Sequence, residues 1–249
     1  MSNLVRRVVD LNVDVGEGMD NENLIMPHIS SCNIACGGHA GNAVTMQKVV
    51  DLACCYNVKI GAHPAFPDKE NFGRLNMAMP AKDLYLSLKK QVAALQMVVF
   101  NKKAVLNHVK PHGALYNLAA INPEIAQVVI DVVKSLNSSV KLYVPYNSVI
   151  AKLAIAQQIP ICYEAFADRR YNEDYTLVSR TNKKALITKS ELMFNHVYNM
   201  IIKKQLVTIN GVTVGIEADT FCLHGDTLNA PVLIKTLKER LETYGVFLK

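Results

Sequence analysis

The chain contains no run of apolar residues that reaches the ~18 needed to cross a bilayer as a helix, although half of its 249 residues are hydrophobic. No membrane span is expected, and that much apolar material calls for a large buried core. The opening stretch MSNLVRRVVDLNVDVGE carries charges within its first ten residues and no long apolar segment. It does not read as a signal peptide, so a cytoplasmic location is the expectation. None of the six cysteines stands in a C-x-x-C pair. Cys54 and Cys55 adjoin on a helix-like stretch, while Cys32, Cys36, Cys162 and Cys222 fall in apolar, strand-like runs. Buried free thiols are expected there rather than disulfides or a zinc knuckle. Low-complexity linkers, strong repeats and compositional breaks are also missing, so residues 1–249 read as one domain. No G-x-x-x-x-G-K-[ST] segment occurs, and GGHAGNA lacks its lysine, so no phosphate-cradling loop is expected.

Positive charge is in modest excess but is not gathered. The net charge is +6, with 27 Lys and Arg against 21 Asp and Glu. Lys89-Lys90, Lys102-Lys103, Lys183-Lys184 and Lys203-Lys204 are spread along helix-like segments. A nucleic-acid partner would favour one basic face with interleaved aromatics, so these pairs are expected on solvated surface. A basic protein still attracts acidic small substrates or acidic partners.

What the chain does have is alternation. Short apolar runs at VVDLNVDV, SCNIACG, VKIGAH, AVLNHV, KLYVP, PICYEAF and TFCLHG are mostly bounded by Gly or Pro. Between them lie the helical patterns AVTMQKVVDLACCYN, AKDLYLSLKKQVAALQMVVF, PEIAQVVIDVVKSL and NSVIAKLAIAQQ, and NAPVLIKTLKERLETYG follows at the C-terminus. This order predicts βα units around a parallel sheet. With about seven or eight strands of that type, an α/β fold closed as a regular or distorted TIM-like (β/α) barrel is the first expectation, and an open doubly wound sheet the second. VTINGVTVGIE predicts a hairpin turning at Asn210-Gly211.

The strands carry a second signal. Asp10, Asn12 and Asp14 alternate with Val9, Leu11, Val13 and Val15, which places the polar side chains on one face. By the same parity Glu164 sides with Asp168, His224 with Asp226, and His63 with Gly61. In HVKPHGALYN, His108, Lys110 and His112 share a face, although Pro111 limits how far a regular strand can continue. Five strand ends thus carry ionisable groups late in the strand. In a parallel barrel those ends converge on the active-site mouth.

DLNVDVGE at 10–17, SSCNIACGGHAG at 30–41, IGAHPAFPD at 60–68, HVKPHGALYN at 108–117, EAFADRRYNEDYTLVSR at 164–180 and CLHGDT at 222–227 stand in that order. Over essentially the whole chain this series resembles the LamB/YcsF family. The resemblance implies a barrel of the glycoside hydrolase/deacetylase type. It also implies the role of a 5-oxoprolinase A subunit: ATP-dependent opening of the 5-oxoproline (pyroglutamate) lactam to L-glutamate, together with partner subunits B and C. The chain departs from the commoner family pattern at Gly38, where an aromatic is frequent, at Asn42 for Asp, at Ala65 for Gly, and at Leu75 for a second arginine after Arg74.

A lactam carbonyl is poorly electrophilic and its nitrogen a poor leaving group. The chemistry therefore needs a base for water, an acid for nitrogen and cations for developing negative charge. Asp14, His39, His63 and His112 are the expected acid/base groups, with Lys110 and Arg74 expected to hold a carboxylate or phosphoryl group. Asn12 and Asn33 could orient water or the amide edge, and Asp168, Arg169, His224 and Asp226 complete the expected substrate site. Each has a plainer reading. Asp14 could cap the turn at Gly16, His39 could close a Gly-rich turn, Arg74 could pair with Asp68 or Glu70, and Asp168 with Arg169 or Arg170.

A divalent metal on Asp14, His63 and His112 is a further expectation. Distantly similar barrel deacetylases use an Asp with two histidines, commonly spaced H-x-x-x-H, and His108 with His112 has that spacing. ATP, lacking a phosphate loop here, is expected mainly on the partner subunits. Two other functions remain open: a stand-alone metal-dependent deacetylase or amidohydrolase, and a non-catalytic ligand-binding subunit. Formation of a homo-oligomer is a further open expectation.

Overall fold

A computed structural model describes residues 7–249; residues 1–6, on which part of the leader expectation rests, lie outside the described residues. Parallel strands β1 (Arg7–Val15), β2 (Ser31–Ala35), β3 (Lys59–His63), β4 (Leu106–Val109), β5 (Lys141–Pro145) and β6 (Ile161–Phe166) pair in sequence order. The strands β7 (Gln205–Val207) and β8 (Thr213–Gly215) form the expected antiparallel hairpin around Asn210-Gly211, apart from the barrel. β9 (Thr220–His224) then pairs with both β6 and β1, closing a seven-stranded parallel barrel. That closure rules out the open sheet. β10 (Val246–Leu248) adds to the first residues of β1, outside the closed ring.

Helices α1 (Glu22–Ile25), α2 (Ala43–Cys55), α3 (Ala81–Asn101), α4 (Gly113–Ile121), α5 (Pro123–Lys134), α6 (Val149–Ala156), α7 (Ser190–Ile202) and α8 (Ala230–Thr243) fill the connections. Their starts follow local chemistry. Asn42 accepts a hydrogen bond from the Thr45 N–H, Asn122 from Glu124 and Ile125 ahead of Pro123, and Ser148 from Ala151. The helices α1, α4 and α7 are absent from the sequence expectations. α4 begins at Gly113, with three residues between it and the end of β4, and its short run GALYNLAAI is nearly all apolar, so no polar face marks a helical period.

The parity reading holds in the barrel. Leu11, Val13 and Val15 turn outward into the apolar layer under the helices. Asp10, Asn12 and Asp14 turn inward, level with Thr220, Cys222 and His224 on β9. Pro111 does not end the pairing. Lys110 N–H donates to Ala62 O at 2.9 Å and His112 N–H to Pro64 O at 2.8 Å, so the proline's missing donor falls on the side that the β3 ladder does not use. Inside, Gly61 lets His108 cross the barrel: a Cβ on residue 61 would lie 2.0 Å from His108 Nε2. The four Lys-Lys pairs are exposed, as expected. All six cysteines are free; Cys32, Cys36 and Cys222 are buried and Cys162 half-buried, whereas Cys54 and Cys55 are exposed on α2. Among the described residues no helix is long and apolar enough to cross a membrane.

Candidate active site

A cleft of about 400 Å³ opens at the C-terminal ends of the strands. Asp14, His63, Lys110, His112 and His224 form its floor, and Arg74, Leu75, Arg169 and Arg180 belong to its walls. The walls come from the β3–α3 loop and from the long segment after β6, which is tied back by bridges between Arg169 and Leu186 and between Tyr171 and Leu177. The Tyr171 hydroxyl accepts the Phe166 N–H at 2.7 Å, pinning that segment to the end of β6.

Below the cleft runs a hydrogen-bonded network. Lys110 Nζ reaches Asp14 Oδ1 at 2.9 Å, Glu164 Oε1 at 3.0 Å and Cys222 Sγ at 3.0 Å. The lysine was expected to hold a ligand anion; it is instead buried, with all three protons directed at protein acceptors. Burial works against its charge, but Asp14, Cys222 and Glu164 outweigh that and hold its pKa well above the ordinary lysine value. Burial likewise opposes ionisation of Asp14, yet His63 and Lys110 keep its carboxyl well below the usual range.

Asn33 donates to Asn12 Oδ1 at 2.7 Å and to Asp14 Oδ1 at 2.8 Å, and His108 Nε2 lies 2.7 Å from Asn33 Oδ1. Asn12 donates to Glu164 and Thr220. Asn12 and Asn33 are fully buried and do not line the cleft; Asn33 orients Asp14 directly, and Asn12 acts through Asn33.

A second group meets the cleft floor at His63 and His112, with Glu17 and His39 buried behind them. Glu17, His39, His63 and His112 bring one ligand atom each to within 4.8 Å of one another, a set able to hold a metal ion. Glu17 Oε1 lies 2.8 Å from His39 Nε2, 3.4 Å from His112 Nδ1 and 3.8 Å from His63 Nε2. His39 stacks on His112 with ring centroids 3.6 Å apart. Burial, with His63 and His39 adding to it, pushes the His112 pKa well below the free imidazole value. Burial and then His63 do the same to His39. Burial and the nearby Asp14 raise Glu17 to about 7.

The metal expectation is corrected here in two respects. Lys110 and Asn33 hold Asp14 Oδ1, and the four ligand atoms that converge belong to Glu17, His39, His63 and His112, with Asp14 Oδ2 beside them at 3.5 Å from His63 Nε2. The H-x-x-x-H pair does not converge, because an extended chain rather than a helix runs from 108 to 112. His108 lies deeper, stacked on Tyr143 at 3.9 Å.

At the walls Arg74 pairs with Asp226 rather than with Asp68 or Glu70. Arg180 Nη1 lies 3.8 Å from the same carboxylate. Arg169 donates to Val178 O at 2.7 Å, while its Nε is buried without a partner. Burial, with Arg180 and Arg74 close by, draws the Arg169 pKa down to about 10. Asp168 ignores Arg169 and Arg170; it accepts from His224 Nδ1 at 3.0 Å and from Thr227, fixing His224 against Phe166. The departure at Gly38 has a partner of its own. Gln91 on α3 clasps Ala65, accepting its N–H at 2.9 Å and donating to its carbonyl at 2.8 Å. A Cβ at 38 would sit 2.3 Å from that amide oxygen.

Sequence reasoning missed Glu17 and Arg180. Period two assigns Glu17 the outward face shared by Val13 and Val15, but Gly16 has φ +73 and turns the chain, and Glu17 Oε1 comes within 2.8 Å of His39 and 3.4 Å of His112. The GE pair ending DLNVDVGE was the available signal. Arg180 lies in a long irregular segment whose path no periodicity encodes.

Residues 9–249 match the model of the LamB/YcsF family. The A subunit of a 5-oxoprolinase from Bacillus cereus (strain AH187) is 42% identical over 244 residues, covering 96% of each chain. The crystal structure of a lactam utilization protein from Thermus thermophilus superposes with a TM-score of 0.91 at 33% identity, covering 97% of this chain and 99% of that one. A family 4 carbohydrate esterase from Streptomyces lividans, at 9% identity and a TM-score of 0.51, shares the fold.

Proposed function

Because the chain belongs to the LamB/YcsF family, we propose that it is the A subunit of a 5-oxoprolinase, opening the lactam of 5-oxoproline to L-glutamate. The observation that carries this reading is the pairing, in one cleft, of a cationic wall with a buried proton-handling floor. Arg74, Arg169 and Arg180 hold the substrate carboxylate, which leaves the ring amide over Glu17, His63 and His112. The reading includes ATP as the activating group and partner subunits B and C as its main holders, since this chain has no phosphate loop.

Transfer of the γ-phosphoryl group to the amide oxygen, with loss of the nitrogen proton, gives a cyclic imidate phosphate. Water adds to that carbon, its proton passing to the Glu17–histidine cluster. The cluster returns that proton to the ring nitrogen, the new hydroxyl gives a second proton to the same nitrogen as the carbonyl re-forms and the C–N bond breaks, and a second water releases phosphate from the resulting acyl phosphate. A carboxyl group raised to about 7 suits such shuttling, because it gives and takes a proton near neutral pH. Turnover of 5-oxoproline with ATP, by this chain alone and with B and C subunits, is the test. Activity only in the assembled enzyme is expected. An assembled enzyme that consumes ATP without forming glutamate would refute the reading.

A further inference from the structure

The tautomers of two buried histidines are set by backbone carbonyls, which can only accept hydrogen bonds. His63 Nδ1 lies 2.8 Å from Lys110 O, so it carries the proton, and His112 Nε2 lies 2.9 Å from Phe72 O, so it carries the proton there. In neutral rings this leaves bare lone pairs on His63 Nε2 and His112 Nδ1, and these two atoms stand only 2.9 Å apart. Around them the nearest polar atoms are again acceptors: Glu17 Oε1, and Asp14 Oδ2 at 3.5 Å from His63 Nε2. Four acceptors converging in a buried space require a cation between them, either a shared proton or a metal ion.

We propose that Glu17, His39, His63 and His112 bind a single first-row divalent cation, zinc in preference, just behind the part of the cleft floor formed by His63 and His112. Three imidazole nitrogens and one carboxylate oxygen suit zinc, whereas magnesium and calcium take oxygen sets. The spacing agrees. Ligands at about 2.05 Å from a tetrahedral ion stand about 3.3 Å apart; four of the six separations here are 2.8, 2.9, 3.4 and 3.8 Å, and all six are within 4.8 Å. The carbonyls of Lys110 and Phe72 supply the outer hydrogen bonds that orient metal-bound imidazoles in general. With four protein ligands such an ion would polarise a carbonyl or acidify a water only by taking a fifth ligand, and while it is bound the four side chains are ligands rather than proton carriers. Asp14 Oδ2 would remain the nearest carboxylate oxygen outside the four ligands.

The site rests on this geometry and not on the lactam reading, and it is tested without turnover. The full chain, stripped with a chelator and shown by circular dichroism to be folded, is titrated with zinc against a chromophoric chelator and separately with cobalt(II). One equivalent of zinc should bind, and cobalt should give the intense visible bands of a four-coordinate site. His63→Ala and His112→Ala should each weaken zinc binding roughly 100-fold or more, at least the loss typical of damaging an outer partner. Glu17→Gln, in the loop after β1, serves if either fails to fold. Cys54 and Cys55 are the exposed thiols that could bind zinc adventitiously, so a Cys54→Ser, Cys55→Ser chain should bind as the parent does. Absence of stoichiometric binding, or binding lost with the two cysteines and kept without the histidines, overturns the proposal and leaves a shared proton between His63 and His112.

Discussion

The barrel interior and the barrel mouth are built from the same residue types and obey opposite rules. In the interior, donors meet acceptors: Thr220 donates to Asp10 and accepts from Asn12, Asn33 bridges Asn12, Asp14 and His108, and Lys110 joins Asp14 to Glu164. At the mouth, acceptors face acceptors around His63 and His112, and three arginines share the single carboxylate of Asp226 or leave a donor unpaired. A satisfied polar network specifies a unique packing, because each group lost strands another. An unsatisfied one is incomplete until something arrives. Glu164 belongs to both classes: Oε1 is bonded within the network, while Oε2 has no partner and the residue borders a second cavity of about 490 Å³ shared with Tyr116 and Phe166.

The contrast can be broken by substitution on each side. His112→Ala, at the mouth, is expected to lower turnover of the assembled enzyme at least roughly 100-fold, the scale of losing one acid/base group, with a small change in melting temperature. A normal rate would remove the histidine cluster from the chemistry. Lys110→Met, in the interior, should do the reverse in kind. It strands Asp14 and Glu164 in a buried space at about 3–5 kcal/mol, on the order of 10 °C in melting temperature for a chain of this size. An unshifted thermal melt would show that the interior network is not what stabilises the barrel.

Arg180→Ala should raise KM for 5-oxoproline roughly tenfold with kcat nearly unchanged, since a charge-assisted hydrogen bond to a carboxylate contributes about 1.5–3 kcal/mol. A fall in kcat at constant KM would move this arginine from carboxylate binding to the reacting atoms. The smallest effect concerns Asp168. Burial favours its neutral form, but His224 and the bonds from His224 and Thr227 outweigh that and lower its pKa. Its native form therefore holds fewer protons than the unfolded chain in mild acid. Its contribution to stability is full above the ordinary aspartate pKa of about 3.9 and fades as pH falls through the lower native value. Asp168→Asn should flatten that acid limb in a denaturation series. An unchanged limb would mean that Asp168 is not among the groups shaping it.

What could be read in advance was what local pattern encodes. Asp10, Asn12 and Asp14 on one face, the Asn210-Gly211 hairpin and the strand–helix alternation each depend on a few neighbouring residues, and each is present in the fold. The same reading failed where the chain leaves its period. Glu17 was lost at the left-handed turn of Gly16, and α4 was hidden because its nine residues GALYNLAAI are nearly all apolar and show no helical period.

The sequence by itself determined that the strands would present ionisable groups at one end of a parallel barrel, because side-chain parity in an extended chain is a local geometric property. Only the tertiary structure decided what each group does there. Asn12 meets Glu164 across 152 residues and Lys110 meets Asp14 across 96, so barrel closure chose the partners. Closure spent Lys110 on two carboxylates and left His63 and His112 facing each other with no donor between them. Hydrogen bonds and charge act over a few ångströms, and which residues stand that close is a property of the closed barrel.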